Sequence, residues 1–232
     1  MKTIILLVII ATTVVPNSHS HFFKIALYCG SGAVYHKDVE IALKKNNIEV
    51  QKIDEYMIKQ GKLKNFKTLI IPGGATQVIL NSLKGAGFEQ VRKFVRGGGK
   101  YIGICAGAYL APKEVKLRFG RKKAGLNIID IENKREAGIG LREIEIVGES
   151  EIAKGYSKGK IKIWYQNGPY IRSGKGVKVV ARYKKDFAAI VWANFGKGKV
   201  ILFSPHPEGN LENEIDPEKI GTLNLLKNAI RM

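Results

Sequence analysis

Apolar residues fall in two patterns along this chain, one in each half. In the first half, Lys24 to Cys29 (KIALYC) is an apolar run of strand length, ended by Gly30-Ser31-Gly32. Ile48 to Ile53 predicts a second strand, and Phe66 to Ile71 a third, closed abruptly by Pro72-Gly73-Gly74. A fourth follows Gly97-Gly98-Gly99 and ends at Ile104. Between them, apolar positions recur at helical spacing over 35–46, through Val39, Ala42 and Leu43, and again over 76–83 and 87–96. Strands alternating with helices at this pitch predict an α/β fold, a mostly parallel sheet with helices on both faces.

After Pro112 the pattern changes. Strand-like runs at 126–131, 142–147, 160–165, 177–183 and 187–194 follow one another, separated by Gly, Lys and Asn, with no helical segment between them. Strand after strand predicts antiparallel pairing in the C-terminal half. Lys199 to Ser204 (KVILFS) is a buried-type strand delivering Pro205-His206-Pro207-Glu208-Gly209. A closing helix is expected from Asp216 as N-cap, with Pro217 at its first position, to Ile230.

Residues 1–20 stand apart: Met1 and Lys2, an apolar run from Ile4 to Val15, then Pro16 and the polar Asn17 to Ser20. This is the layout of a secretory signal cleaved after Ser20, or of a short uncleaved anchor, and it falls below the roughly 20 residues of a comfortable membrane span. Residues 21–232 then form one domain, and the expected location is secreted or in the cell envelope. The chain of 232 residues carries 39 Lys and Arg against 20 Asp and Glu, a formal charge of +19. The lysines are scattered, and no RNA-module or helix-turn-helix signature accompanies them. The balance therefore favours a solvated basic surface, able to associate with an anionic envelope surface, over a specific nucleic-acid partner.

The chemistry centres on GKYIGICAGAYL, residues 99–110. A strand runs into a Gly-x-Cys-x-Gly turn with a helix directly after it, the arrangement of a nucleophile elbow, where small neighbours give a crowded backbone room. Gly103 and Gly107 supply that room around Cys105. The following helix directs its free N–H groups at the sulfur, which favours thiolate over a thiol of ordinary pKa about 8.5. The residue alone also fits a small buried hydrophobe behind a core strand. In open parallel sheets, sites lie at the carboxyl ends of the strands. Cys29, Gly73-Gly74, Cys105 and His206 are all placed at such ends. Glu208 lies two residues beyond His206, on the same side of an extended chain. Its carboxylate is suited to accept the imidazole's second N–H and support the charge formed when the other nitrogen takes a proton. The N–H groups of Gly74 and Ala106 would form an oxyanion hole, each donor contributing ~3–4 kcal/mol at the transition state.

The succession IIPGGA, GGKYIGICAGAYLA and KGKVILFSPHPEG resembles the class I glutamine amidotransferase fold, which is flavodoxin-like. More narrowly, FVRGGGKYIGICAGAYLA, WYQNGPY and VARYKKDFAAIVWANFGKGKV resemble the amidotransferase-like domain at the N-terminus of some biotin-protein ligases. The resemblance covers most of residues 24–209. It implies Cys105 as nucleophile, His206 as general base and acid, Glu208 as its orienting partner, and Gly74 and Ala106 lining the oxyanion hole. Tyr165, Asn167 and Gly168 fall in the family's Tyr-x-Asn-Gly stretch and, with Gly73 and Tyr109, would border the pocket. Tyr109 stands where glutaminases of this fold carry a glutamine-binding Gln, which points away from glutamine itself as substrate. The chain also lacks a ligase's catalytic domain and its Gly-rich biotin motif.

Three functions remain open at this level. One is an exported thiol hydrolase or transferase acting on an amide C–N bond of a small molecule or peptide. The second is a binding module that keeps the pocket without turnover. The third is a redox pair of Cys29 with Cys105, which requires Cα atoms within about 7 Å. No metal and no cofactor is expected.

Overall fold

The computed structural model describes residues 24–117 and 120–232, so the expected signal at 1–20 lies outside the described residues. Five strands build the parallel half of the sheet: β1 (Ile25–Tyr28), β2 (Gln51–Ile53), β3 (Thr68–Ile71), β4 (Lys100–Ile104) and, from late in the chain, β13 (Gly198–Phe203). They lie in the order β2-β1-β3-β4-β13, all parallel. The helices are α1 (His36–Lys44), α2 (Glu55–Lys59), α3 (Thr76–Leu83), α4 (Ala86–Arg96), α5 (Ala106–Leu110) and α6 (Leu223–Arg231).

Strand alternation decides which helix goes where. Ile25, Leu27, Ile70, Ile102 and Ile104 face one side, packed with Val39 and Leu43 of α1 and Leu226 and Ile230 of α6. Ala26, Tyr28, Leu69, Ile71 and Tyr101 face the other, with Ile58 of α2, Leu83 of α3, Val91 of α4 and Leu110 of α5. Because both faces are covered, these strands read as continuous apolar runs. The fold is therefore the expected α/β type, a mostly parallel sheet sandwiched by helices.

The antiparallel half continues from β13 through β12 (Phe187–Phe195), β11 (Lys178–Lys184), β8 (Ile139–Ile146) and β9 (Gly159–Gln166). A branch of β10 (Pro169–Ser173) and β7 (Ile131–Arg135) leaves β12. Short β5 (Glu114–Lys116) and β6 (Lys122–Ala124) pair separately. Among the described residues, no helix is long and apolar enough to cross a membrane.

Two expectations are corrected. Residues 126–130 are not a strand; Leu126 and Ile128 are bound instead through Leu110 and Ala111 carbonyls, and the strand begins at Ile131. The closing helix begins at Leu223. Asp216 does cap locally, its Oδ1 accepting from the N–H of Glu218 at 2.9 Å, but the turn ends at Gly221, whose φ is +73°. The start signal is thus read correctly as a cap and wrongly as a helix.

The redox pair is excluded by the register. Ile25 lies level with Thr68, and Thr68 with Lys100, so Cys29 lies level with Ile104, on the far side of β3. Two strand spacings separate the cysteine-bearing strands by about 9.6 Å, beyond disulfide reach. Both cysteines are free.

Candidate active site

Cys105 ends β4 as the N-cap of α5, with φ 49° and ψ −98°. A non-glycine residue in this region is strained and is held only where its surroundings determine it. Here its N–H donates to Phe203 O at 2.8 Å, tying it to β13. Tyr101 Oη donates to Gly107 O at 2.7 Å beneath the turn. A Cβ on Gly103 would sit 2.6 Å from Gly107 O, and one on Gly107 would sit 2.2 Å from Ile71 O. The glycines are therefore required by close backbone approach on both sides of the sulfur.

The neighbouring strand delivers the imidazole. Beyond β13, His206 donates its N–H to Trp164 O at 2.8 Å and is fully buried. Its Nδ1–H donates to Glu208 Oε1 at 2.8 Å, which leaves Nε2 buried with no partner among the described residues. Burial alone would lower the imidazole's pKa. The Glu208 carboxylate and then the Cys105 sulfur outweigh it and raise the value to about 10. Burial in turn pushes the Glu208 carboxyl up.

These shifts have a stability consequence. A group whose folded pKa exceeds its unfolded value contributes stability fully present below the unfolded pKa, 6.5, and lost as pH rises through the folded one. The native chain should lose thermal stability between pH 6.5 and about 10 on this account, and Glu208→Gln, which removes the strongest raising interaction, should flatten that part of the curve. Melting temperatures of both proteins on either side of that window check it; parallel curves would show that Glu208 does not support an imidazolium.

The glycine turn closes the other wall. Gly73 O accepts from Tyr35 N at 3.1 Å, and Ala75 N donates to Gly32 O at 2.9 Å, stitching the loop after β1 to the turn after β3. A Cβ on Gly73 would come within 2.6 Å of His206 Cε1, and one on Gly74 within 2.0 Å of Gly32 O. Among the described residues, neither the Gly74 nor the Ala106 amide donates to another backbone group.

Two residues that the sequence pattern does not single out complete the cleft. Tyr35 packs edge-on against His206 with ring centroids 5.5 Å apart, and its hydroxyl accepts from Gln166 Nε2 at 2.6 Å. Gln166 O accepts from Cys105 Sγ at 3.4 Å. The signal for Gln166 is its place inside Tyr-x-Asn-Gly. Alternation along β9 turns Tyr165 away into a cluster with Tyr170 and Tyr183, its hydroxyl donating to Glu136 O and Gly168 O. Asn167, at φ 55°, accepts from Gly138 N through its side chain, and its carbonyl accepts from Tyr109 Oη at 3.2 Å. Gly168 abuts Ser204 O. The middle residue of the motif thus faces the sulfur, and its neighbours build the wall. Tyr109 is nearly sealed, and burial raises its phenol's pKa.

The family model described as "Biotin-protein ligase, N terminal" matches residues 29–136. The pyridoxal 5'-phosphate synthase subunit PdxT of Koribacter versatilis is 32% identical over 152 residues, 65% of this chain and 72% of that one. The biotin–protein ligase of Schizosaccharomyces pombe is 29% identical over 167 residues, 62% of this chain but only 26% of the ligase. Among solved structures, a glutamine amidotransferase from Thermotoga maritima superposes with a TM-score of 0.58 at 13% identity, over 91% of this chain and 100% of that one. The chain belongs to the class I glutamine amidotransferase-like superfamily, and its residues 29–136 are similar to the biotin-protein ligase N-terminal family.

Proposed function

We propose that this chain cleaves or transfers an amide C–N bond through a thioester on Cys105. The observation that carries the reading is a buried imidazole held at Nδ1 by Glu208, its Nε2 unpartnered, in a residue near enough to the strained Cys105 elbow for the sulfur to favour its protonated form. In the reaction, Nε2 takes the thiol proton and Sγ attacks the amide carbon, forming the S–C bond as the carbonyl electron pair moves to oxygen. The N–H groups of Gly74 and Ala106 stabilise that oxyanion by about 3–4 kcal/mol per donor. Collapse breaks the C–N bond, and the Nε2 proton leaves with the amine. Water, or an acceptor amine, then gives a proton to Nε2 while adding to the thioester carbon, and the thiolate departs. Tyr109 occupies the place of a glutamine-binding side chain, so the amide is more compatible with a substrate other than free glutamine.

Mass spectrometry of Cys105 after incubation with a panel of peptide and small-molecule amides tests the proposal. An acyl adduct on Cys105 that accumulates on slow substrates and is absent in His206→Ala is expected; no adduct with any amide, with the thiol intact, would overturn it.

One observation favours a second reading. Sγ donates to the Gln166 carbonyl and Cys105 is only 6% exposed, as befits a module that binds without turnover. Iodoacetamide separates the two, since a thiol paired with the imidazole is alkylated well below a pH of about 8 and an inert one is not. The apolar run and basic start of residues 1–20 support export, with the +19 surface favouring an anionic envelope. N-terminal sequencing of the mature protein tests this, a start at His21 being the expected result.

A further inference from the structure

A cavity of about 240 Å³ is lined by Glu208 but by neither His206 nor Cys105. It is entered between α1 and the segment 210–219 and does not include Cys105, Tyr35 or Gln166 among its lining residues. Asp38 and Glu208 line it, with the apolar side chains of Ile41, Leu211, Ile215 and Leu223. Glu208 uses Oε1 for His206; its Oε2 is buried and has no partner among the described residues. A carboxylate oxygen left this way costs several kcal/mol unless something pairs with it. Asp38, 7% exposed, accepts from Leu211 N through Oδ1 at 2.8 Å and is close enough to Glu208 to disfavour its ionisation.

The surrounding charge has the same sign. Glu214, Asp216 and Glu218 also line the cavity, against Lys45 and Lys219. Five of the chain's 20 acidic residues therefore meet here, on a protein of net charge +19. Asp216 and Glu218 are partly engaged, by the backbone N–H of Glu218 and by Asn46 Nδ2. Among the described residues, Asp38 has no cationic partner, and Glu208 pairs only with His206, through Oε1, leaving Oε2 without one.

We propose that this cavity binds a small organic ammonium ion, its N–H groups shared between Asp38 and Glu208 Oε2 and its short alkyl part lying against Ile41, Leu211 and Leu223. The apolar walls favour an alkylammonium over a hydrated inorganic cation. Among the described residues, no group of three or more His, Cys, Asp or Glu side chains is arranged to hold a metal ion. At ~30 Å³ per water, the volume suits an amine of a few carbons. The site shares Glu208 with the proposed thiol chemistry but not the sulfur, so binding measured in Cys105→Ala is read independently of turnover.

Isothermal titration of the full chain carrying Cys105→Ala with butylammonium chloride tests it, with sodium chloride and 1-butanol as controls. A saturable one-to-one heat with butylammonium alone is expected. Asp38→Asn, which keeps an acceptor for Leu211 N, should weaken it at least tenfold. Ile41→Trp, at a position 37% exposed at the mouth, should abolish it without unfolding the chain. Heats matching sodium chloride, or binding unchanged in both variants, would overturn the proposal.

Discussion

Cys105→Ala is expected to reduce turnover of a cleaved amide by a factor on the order of 10^5–10^6, while the chain still folds. Groups acting as one nucleophilic unit contribute non-additively, so removing the attacking atom forfeits nearly everything that the imidazole and carboxylate add. What survives comes from the glycine-turn amides and from binding. The backbone at Cys105 carries a φ of 49°, which alanine occupies no more easily than cysteine, so any loss of stability should be small beside the loss of rate. Single-turnover kinetics with purified substrate measure it. A variant retaining a tenth of the native rate would mean that the sulfur is a bystander.

Gly107→Ala should produce the largest change in stability. The added methyl carbon would sit 2.2 Å from Ile71 O and 3.1 Å from Ile71 Cβ. The obstacle is main chain in β3, held between β1 and β4, so no side-chain rotation relieves the clash. The helix start must lift, which costs about 3 kcal/mol, the upper end for an overpacked core. For a chain of this size that corresponds to a fall in Tm of roughly 6–12 °C. Gly148→Ala is the control: nothing lies within 4 Å of its Cβ, and a change within about 0.5 kcal/mol is expected. Equal urea midpoints for the two variants would show that the elbow yields to an added methyl instead of resisting it.

Much of this architecture is legible from residue pattern because the parallel strands are covered on both faces. KIALYC and TLII have no polar side to obscure them, and α3 and α4 fall within a residue of their helical spacing. The antiparallel half reads less well. β7 and β10 are only five residues each and do not alternate cleanly, Pro169, Tyr170 and Ile171 being buried in a row and Asn133 alone being buried in β7, so periodicity does not separate them from turns. The closing helix is expected too early because a capping Asp and a following Pro describe any first turn, including one that Gly221 then ends. At the candidate site, Gly74, Cys105 and His206 lie in recognisable turns, whereas Tyr35 and Gln166 meet across 131 residues of sequence. No local pattern encodes such a pair.

The position of β13 bears on how the protein comes into being. It slots between β4 and β12, so the last of the described strands occupies the middle of the sheet, and it brings His206 roughly a hundred residues after Cys105. A chain not yet extended beyond residue 197 therefore holds Cys105 without His206, together with two unsatisfied sheet margins prone to mispairing. On the proposed function the thiol and its imidazole meet only once β13 has been made, and a fragment ending before residue 198 should meet quality control as an aggregating species rather than as a stray nucleophile.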